Sequence, residues 1–124
     1  MGNIGDTLMR SDALRALSFD AHGLIPVITQ CATTQAVLML AWMNEAALDE
    51  TLHTGYMCYW SRSRQQLWRK GETSGHRQKL HRLQIDCDGD TLLAIVEQSG
   101  AACHTNRPNC FYWTITDDTV TRTA

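Results

Sequence analysis

The fold class is decided by residues 24–55, which read LIPVITQCATTQAVLMLAWMNEAALDETLHTG. Two apolar runs, Leu24–Ile28 and Val37–Met43, have the length and composition of buried β-strands. They are separated by the turn-prone segment Thr33–Gln35, and this order predicts an antiparallel hairpin. A β-hairpin is therefore expected at the start of the domain.

A helix is expected directly after this hairpin. Asn44 is a favoured N-cap residue and Gly55 readily adopts the left-handed conformation that ends a helix, so we predict a helix over Glu45–His53. Residues 71–75 are too polar and glycine-rich for regular structure, so we predict a loop there. Further strands are predicted, in chain order, at Tyr56–Ser61, Gln66–Arg69, Lys79–Cys87, Thr91–Gln98 and Phe111–Thr116. The predicted fold class is α+β: mainly antiparallel β-sheet with one clear helix.

The length of 124 residues fits one small domain. We predict a short helical or frayed lead-in over residues 1–18, in which Ser11 is a candidate N-cap. The domain itself is expected over residues 19–116, followed by a C-terminal tail over residues 117–124. We detect no internal repeat and no low-complexity segment.

The charge of the chain is unevenly distributed. The net charge is −2, which argues against a nucleic-acid or membrane-surface binder. Seven of the eleven basic residues nevertheless lie in residues 62–82, opposed only by Glu72, and this pattern predicts a small anionic ligand. Without a membrane-spanning run or a signal peptide, we expect a cytoplasmic protein. In that compartment five cysteines favour metal binding or catalysis over disulfides.

Three carboxylates are crowded into residues 86–90, which read DCDGD. Asp86, Asp88 and Asp90 repel one another, and a magnesium ion would relieve that repulsion. The alternative is a solvated acidic turn without a metal. Side chains alternate along a strand, so we predict that Asp86 and Asp88 project to one face and Cys87 to the other. Thiol and carboxylates would then serve two different ions.

Three of the cysteines are candidate metal ligands. Cys103 and Cys110 bracket a loop, and with Cys87 they would supply three thiolates. Three protein ligands plus water are typical of a catalytic zinc, whereas a fourth ligand closes a structural site. His104 could be that fourth ligand, so both kinds of site remain open. Cys31 and Cys58 lie in predicted apolar strands, and we interpret them as core residues.

Cations, hydroxyl groups and glycines are combined in residues 60–64 and 68–76. Such groups bind phosphate through charge, hydrogen-bond donors and close approach of the main chain. The alternative is an ordinary solvated hairpin. The glycine spacing is not that of a P-loop, which argues against a nucleoside triphosphatase. We interpret Trp60 and Trp68 as core residues.

Five runs of this chain together resemble one family. They are residues 38–44 (LMLAWMN), 59–64 (YWSRSR), 67–76 (LWRKGETSGH), 86–90 (DCDGD) and 102–105 (ACHT). Their sequence and order closely resemble phosphoribosyl-AMP cyclohydrolase. The resemblance covers roughly residues 20–115, and five linked motifs are far more specific than any single one.

The resemblance implies an activity and its cofactors. The activity is hydrolysis of the N1–C6 bond of the adenine ring of 1-(5-phosphoribosyl)-AMP, a step of L-histidine biosynthesis. The resemblance implies zinc on Cys87, Cys103 and Cys110 and magnesium on Asp86, Asp88 and Asp90. It also implies a homodimer with active sites at the subunit interface, in which the zinc cysteines come from both chains.

Roles for other residues follow from that expected reaction. His104, beside a zinc cysteine, is our first candidate for general acid/base catalysis, and His76 is the second. Lys70, Thr73, Ser74 and Arg62 are candidates for binding a substrate phosphate together with magnesium. Two alternative functions remain: a zinc-dependent purine or nucleotide deaminase and a non-catalytic, zinc-stabilised binding module. The deaminase signature of His-x-Glu and Pro-Cys-x-x-Cys is missing from the sequence.

Overall fold

The computed structural model describes residues 10–122, which are mostly β-sheet with two helices. A four-stranded central sheet has the strand order β2-β1-β6-β5, and two separate hairpins pair β3 with β4 and β7 with β8. The elements are α1 (Arg10–Arg15), β1 (Ile25–Cys31), β2 (Val37–Met43), α2 (Glu45–Thr54), β3 (Cys58–Ser61), β4 (Gln66–Arg69), β5 (Gln78–Ile85), β6 (Leu92–Gln98), β7 (Trp113–Ile115) and β8 (Val120–Arg122).

The predicted hairpin and the helix that follows it are confirmed. β1 and β2 pair antiparallel, with Ile25 opposite Met43. The Asn44 side chain caps α2 by accepting a hydrogen bond from the Ala47 amide at 2.9 Å. Gly55 ends the helix in the left-handed conformation, at φ 82°.

The central sheet is not wholly antiparallel. β1 pairs antiparallel with β2, and β5 with β6, but β1 and β6 run parallel, with Val27 opposite Leu92. The chain leaves β2 through α2 and the β3–β4 hairpin before the β5–β6 hairpin returns to the sheet. Its second strand therefore enters beside β1 in the same direction, and the prediction of a mainly antiparallel sheet holds with this one exception.

Most of the predicted element boundaries differ from the observed ones by one to three residues. The strand predicted over Lys79–Cys87 ends at Ile85, because Asp86 accepts hydrogen bonds from the amides of Asp90 and Thr91 and so closes a turn. The predicted N-cap at Ser11 is wrong, since α1 already includes Arg10. Residues 1–9 of the predicted lead-in lie outside the described residues. Residues 117–124, predicted as a tail, contain β8.

The core lies between α2 and the inner face of the central sheet. Its members include Ile25, Val27, Met43, Ala47 and Leu92, all almost completely buried. A few polar side chains share this interior, and Thr29, Tyr59 and Gln78 are fully buried as well. No helix among the described residues is long and apolar enough to cross a membrane.

Candidate active site

A cleft of about 610 Å³ opens between two loops on one side of the β3–β4 hairpin. We call residues 70–76 the glycine loop and residues 99–110 the cysteine loop. Six of the residues predicted to have a functional role line this cleft: Lys70, Thr73, Ser74, His76, Cys103 and His104. The structure therefore brings together hydroxyl groups, a cation, two imidazoles and a thiol that are separated by up to about thirty residues of chain.

Lys70 lines this cleft although it is a buried cation, with only 8% of the residue exposed. Its ammonium group lies 5.3 Å from the centre of the Trp68 ring, in cation–π contact. Burial lowers the pKa of Lys70, while the nearby thiols of Cys110 and Cys103 act in the opposite direction. A half-desolvated cation thus lies within electrostatic reach of both thiols.

Two glycines, one in each loop, lie where a larger residue would not fit. Gly71 has φ 79°, and a Cβ there would collide with the backbone of His76 and Arg77. Gly100 has φ 72°, and a Cβ there would collide with the His76 ring. Both positions require glycine. The His76 imidazole is consequently held against the backbone of the cysteine loop.

The thiols of Cys103 and Cys110 lie near each other. The Cys103 sulfur is 3.0 Å from the Thr105 hydroxyl. Burial raises the pKa of Cys103, but hydrogen bonds with Thr105 and Cys110 outweigh that effect, so the net shift is downward. The Cys110 amide donates to the Leu38 carbonyl of β2 at 2.8 Å, which anchors the end of the cysteine loop to the edge of the central sheet.

The acidic turn, residues 86–90, forms a separate group. Carboxylate oxygens of Asp86, Asp88 and Asp90 all lie within 4.8 Å of one another. Hydrogen bonding with the Asp88 and Asp86 carboxyl groups raises the pKa of Asp90. The prediction that these side chains alternate along a strand is wrong, because the strand ends before Asp86. The proximity of the three carboxylates comes from the turn instead.

Cys87 lies in the acidic turn, away from the other two candidate zinc cysteines. It is exposed and borders a small cavity against α1, next to Ala13, Ala16 and Leu17. Among residues 10–122, Cys87, Cys103 and Cys110 do not come together as one group of possible metal ligands. The structure therefore divides the predicted site into the cleft and the acidic turn. The two other cysteines fit their predicted core positions: Cys58 is buried, and Cys31 is half-buried against the core.

Arg62 does not line the cleft but a neighbouring groove. Its guanidinium group stacks over the Trp42 ring at 4.7 Å, and Ser61 and Ser63 line the same groove. Trp68 lines both the groove and the cleft. We interpreted Trp68 as a core residue, but 39% of it is exposed, because the short β4 has only β3 beside it. The exposure of Trp68 could have been predicted from the sequence, because two short strands joined by a turn leave much of each strand open to solvent.

The fold and the cleft define a small α+β protein with hydroxyl groups, a buried cation, two imidazoles and a thiol at one site. A family model described as phosphoribosyl-AMP cyclohydrolase matches residues 39–112. Phosphoribosyl-AMP cyclohydrolase 2 of Pseudomonas fluorescens is 55% identical over 94% of this chain and 80% of its own length. The phosphoribosyl-AMP cyclohydrolase of Halorhodospira halophila is 59% identical over 87% of this chain and 76% of its own length. The phosphoribosyl-AMP cyclohydrolase of Cereibacter sphaeroides is 61% identical over 78% of this chain and 82% of its own length. The chain belongs to the phosphoribosyl-AMP cyclohydrolase family.

Proposed function

We propose that the chain hydrolyses the N1–C6 bond of the adenine ring of 1-(5-phosphoribosyl)-AMP in L-histidine biosynthesis. The product is phosphoribosylformimino-aminoimidazole carboxamide ribotide. The observation that carries the proposal is the cleft, where two loops bring phosphate-binding groups, imidazoles and a thiol together in a member of this family. The five cysteines are free thiols, which fits a reducing compartment, and we place the enzyme in the cytoplasm.

The glycine loop has the groups that a substrate phosphate needs. Lys70 supplies a positive charge, and Thr73 and Ser74 supply exposed hydroxyl groups on the same wall of the cleft. Glycines in the loop let a ligand approach the main chain closely. Arg62, in the neighbouring groove, is the cation available to a second phosphate of the same substrate.

The thiols of the cysteine loop suit a zinc ion as ligands. Cys103 and Cys110 are neighbours, and the lowered pKa of Cys103 favours the thiolate form that binds metal. Burial and the neighbouring Cys103 raise the pKa of Cys110 to about 11, so this second thiol would lose its proton on binding the cation. Two thiolates and a third ligand would leave one position for water, the pattern of a catalytic site. When bound, such an ion lowers the pKa of water to about 7 and so makes hydroxide available at neutral pH.

The third thiolate comes, in this proposal, from a second copy of the chain. Cys87 is exposed, and it and the acidic turn around it line a cavity other than the cleft of their own chain. In a symmetric dimer each acidic turn can face the cleft of the other chain. The partner subunit's Cys87 would complete the thiolate set, and magnesium at the acidic turn would meet the substrate phosphate.

An exposed apolar surface next to the cysteine loop supports such a dimer. Cys110 is bonded to β2, which is an edge strand of the central sheet. Large apolar side chains are exposed on β2, directly after Cys110 and on the β7–β8 hairpin: Val37, Leu40, Phe111, Trp113, Ile115 and Val120. Exposed apolar surface of this kind is typical of an interface. It would bring the partner chain close to Cys110.

The reaction requires two proton transfers that the chain must provide. The attacking water loses a proton as it adds to C6, and N1 gains a proton as the N1–C6 bond breaks. His104 is exposed in the cleft next to Cys103, so we assign it the general acid/base role. His76 is the second candidate, and its ring is confined by Gly100.

The acidic turn gives a direct test of the magnesium assignment. Asp88→Asn is expected to weaken magnesium binding by about tenfold or more, since even the loss of an outer-shell partner costs about 10–100-fold in metal affinity. Zinc stoichiometry should not change, because the Asp88 carboxylate is grouped with Asp86 and Asp90 and not with a thiol. Isothermal titration with magnesium and metal analysis measure the two effects.

The control is Asp49→Asn, which removes the same charge from an exposed position on α2. It should leave binding of both metals unchanged. A loss of zinc in Asp88→Asn equal to the loss of magnesium would contradict separate sites for the two ions.

The proposed reaction differs from deamination in its products. Ring opening of phosphoribosyl-AMP changes the ultraviolet absorbance without releasing ammonia, whereas a deaminase releases ammonia. We expect turnover with no ammonia and no reaction with AMP, which lacks the phosphoribosyl group on N1. Stoichiometric ammonia release would favour the deaminase, and no turnover by zinc-loaded protein would favour a binding module.

A further inference from the structure

We propose that Gln98 is a positioning residue whose amide group ties the glycine loop to the cysteine loop, and that a buried hydrogen-bond chain through Gln78 and Tyr59 fixes its orientation. The inference rests on the proposed function, because it assigns these loops to the substrate site. It adds residues that lie behind the cleft and outside its lining.

The Gln98 amide contacts both loops from the end of β6. Its Nε2 donates to the His76 carbonyl at 3.3 Å and to the Ser99 carbonyl at 3.0 Å. His76 is the last residue of the glycine loop, and Ser99 is the first residue of the cysteine loop. Beside this bridge the Ser99 amide donates to the Arg77 carbonyl at 2.9 Å. One side-chain amide thus joins the two segments that carry the candidate catalytic histidines.

A chain of short hydrogen bonds extends from Gln98 into the core. The Gln98 Oε1 accepts from Gln78 Nε2 at 2.7 Å, and the Tyr59 hydroxyl donates to Gln78 Oε1 at 2.7 Å. The Tyr59 hydroxyl also lies 2.7 Å from the Thr29 hydroxyl. Thr29, Tyr59 and Gln78 are each completely buried, in β1, β3 and at the start of β5.

The direction of every hydrogen bond in this chain is determined. The two loop carbonyls can only accept, so the Gln98 amide must present Nε2 to them and Oε1 to Gln78. Gln78 must then present its Nε2 to Gln98 and its Oε1 to Tyr59. Burial raises the pKa of Tyr59, so the phenol remains protonated and donates to Gln78. Thr29 is left as the donor to Tyr59, and neither amide can flip without losing bonds.

Packing alone does not account for this polar chain in an apolar core. Apolar side chains of similar shape could replace a buried hydrogen-bonded group at little or no cost in stability. A fully satisfied network instead imposes one arrangement, since any rearrangement leaves a buried donor or acceptor unpaired. Here that arrangement ends at the two loop carbonyls. The network therefore holds the loops at one separation across the cleft.

The test compares Gln98→Met with Thr51→Val. Methionine has nearly the shape of glutamine but donates no hydrogen bond, so the loops lose their bridge. Thr51 is fully buried, whereas Gln98 is half-buried, and the Thr51 hydroxyl bonds the amide and the carbonyl of Cys58 instead of a loop carbonyl. Thr51→Val therefore shows what the loss of a buried polar group does to activity when no loop bridge is removed.

With the zinc-loaded, full-length protein, kcat/KM of Gln98→Met should fall about 10- to 100-fold, because displacing catalytic groups by about 1 Å can cost 10²-fold. Thr51→Val should stay within about twofold of the wild type, even if its loss of Tm equals or exceeds that of Gln98→Met. Gln98→Glu, which can accept from Gln78 but whose carboxylate cannot donate to the carbonyls, should show the same loss as Gln98→Met. Equal activity of all three variants, or an equal loss in Thr51→Val, would overturn the proposal.

Amide hydrogen exchange gives a second measurement that needs no substrate. Exchange in the glycine loop and the cysteine loop should accelerate in Gln98→Met, while the amides of α2 keep their protection. If both loops exchange at the wild-type rate, Gln98 does not hold them, whatever the activity. If the wild type does not turn over phosphoribosyl-AMP but the loops respond as expected, then the proposed function fails and the bridge remains.

Discussion

Cys103→Ala is expected to remove zinc and turnover together. Two thiolates cannot hold the ion as three do, and alanine also leaves Cys110 without its neighbouring thiol. Metal catalysis is worth several kcal/mol, and each 1.36 kcal/mol is a factor of ten, so we expect kcat to fall by about three orders of magnitude. Metal analysis of the purified variant and the absorbance assay measure both effects on one sample.

Cys31→Ala is the matched control, because Cys31 lies half-buried in β1 and does not line the cleft. This variant should keep its zinc and its turnover. The zinc assignment would be refuted if the two variants lost zinc equally. Turnover that survived in a zinc-free Cys103→Ala protein would refute the role of the ion in the reaction.

His104→Asn is expected to keep zinc and to lose turnover. General acid/base catalysis contributes roughly 10²–10⁴-fold to the rate, and kcat should fall by that factor. Asparagine retains polarity and approximate size, and His104 is exposed at the cleft, so the fold should not change. The measurement is bound zinc and kcat on the same preparation.

The other outcomes of His104→Asn are equally informative. If zinc is lost, then His104 is a fourth ligand, and the site is the closed, structural kind instead of one with an open position for water. If both zinc and kcat survive, the acid/base role passes to His76. The same pair of measurements on His76→Asn would then test that assignment.

The parts of the fold that local chemistry controls were predictable. Asn44 and Gly55 carry the signals that begin and end α2, and the two apolar runs before them form the predicted hairpin. The parallel pairing of Val27 with Leu92 was not predictable, because these residues lie far apart in the chain and leave no local pattern. The end of β5 was also missed, since it depends on the side-chain hydrogen bonds of Asp86.

For the site, the residue types were predictable but their arrangement in space was not. Lys70, Thr73 and Ser74 are close in sequence and line the cleft together. Cys87 and Cys103 both lie in motifs of the resemblance, but within one chain Cys103 lines the cleft and Cys87 lines a different cavity. Gln78 and Gln98 went unnoticed, because a polar residue in a strand usually faces solvent. Their role becomes visible only when the hydrogen bonds of the buried groups are traced.

In the proposed enzyme the thiolates of one active site come from two chains. This arrangement can be tested by mixing Cys87→Ala and Cys103→Ala proteins, each inactive alone, under conditions that allow subunits to exchange. Every mixed dimer then has one site with both mutations and one intact site, so a 1:1 mixture should regain about a quarter of the wild-type kcat per chain. If all three cysteines of a site belonged to one chain, then no mixture could regain activity. Activity that stays at the level of the separate variants, after subunit exchange has been verified, would contradict the shared site.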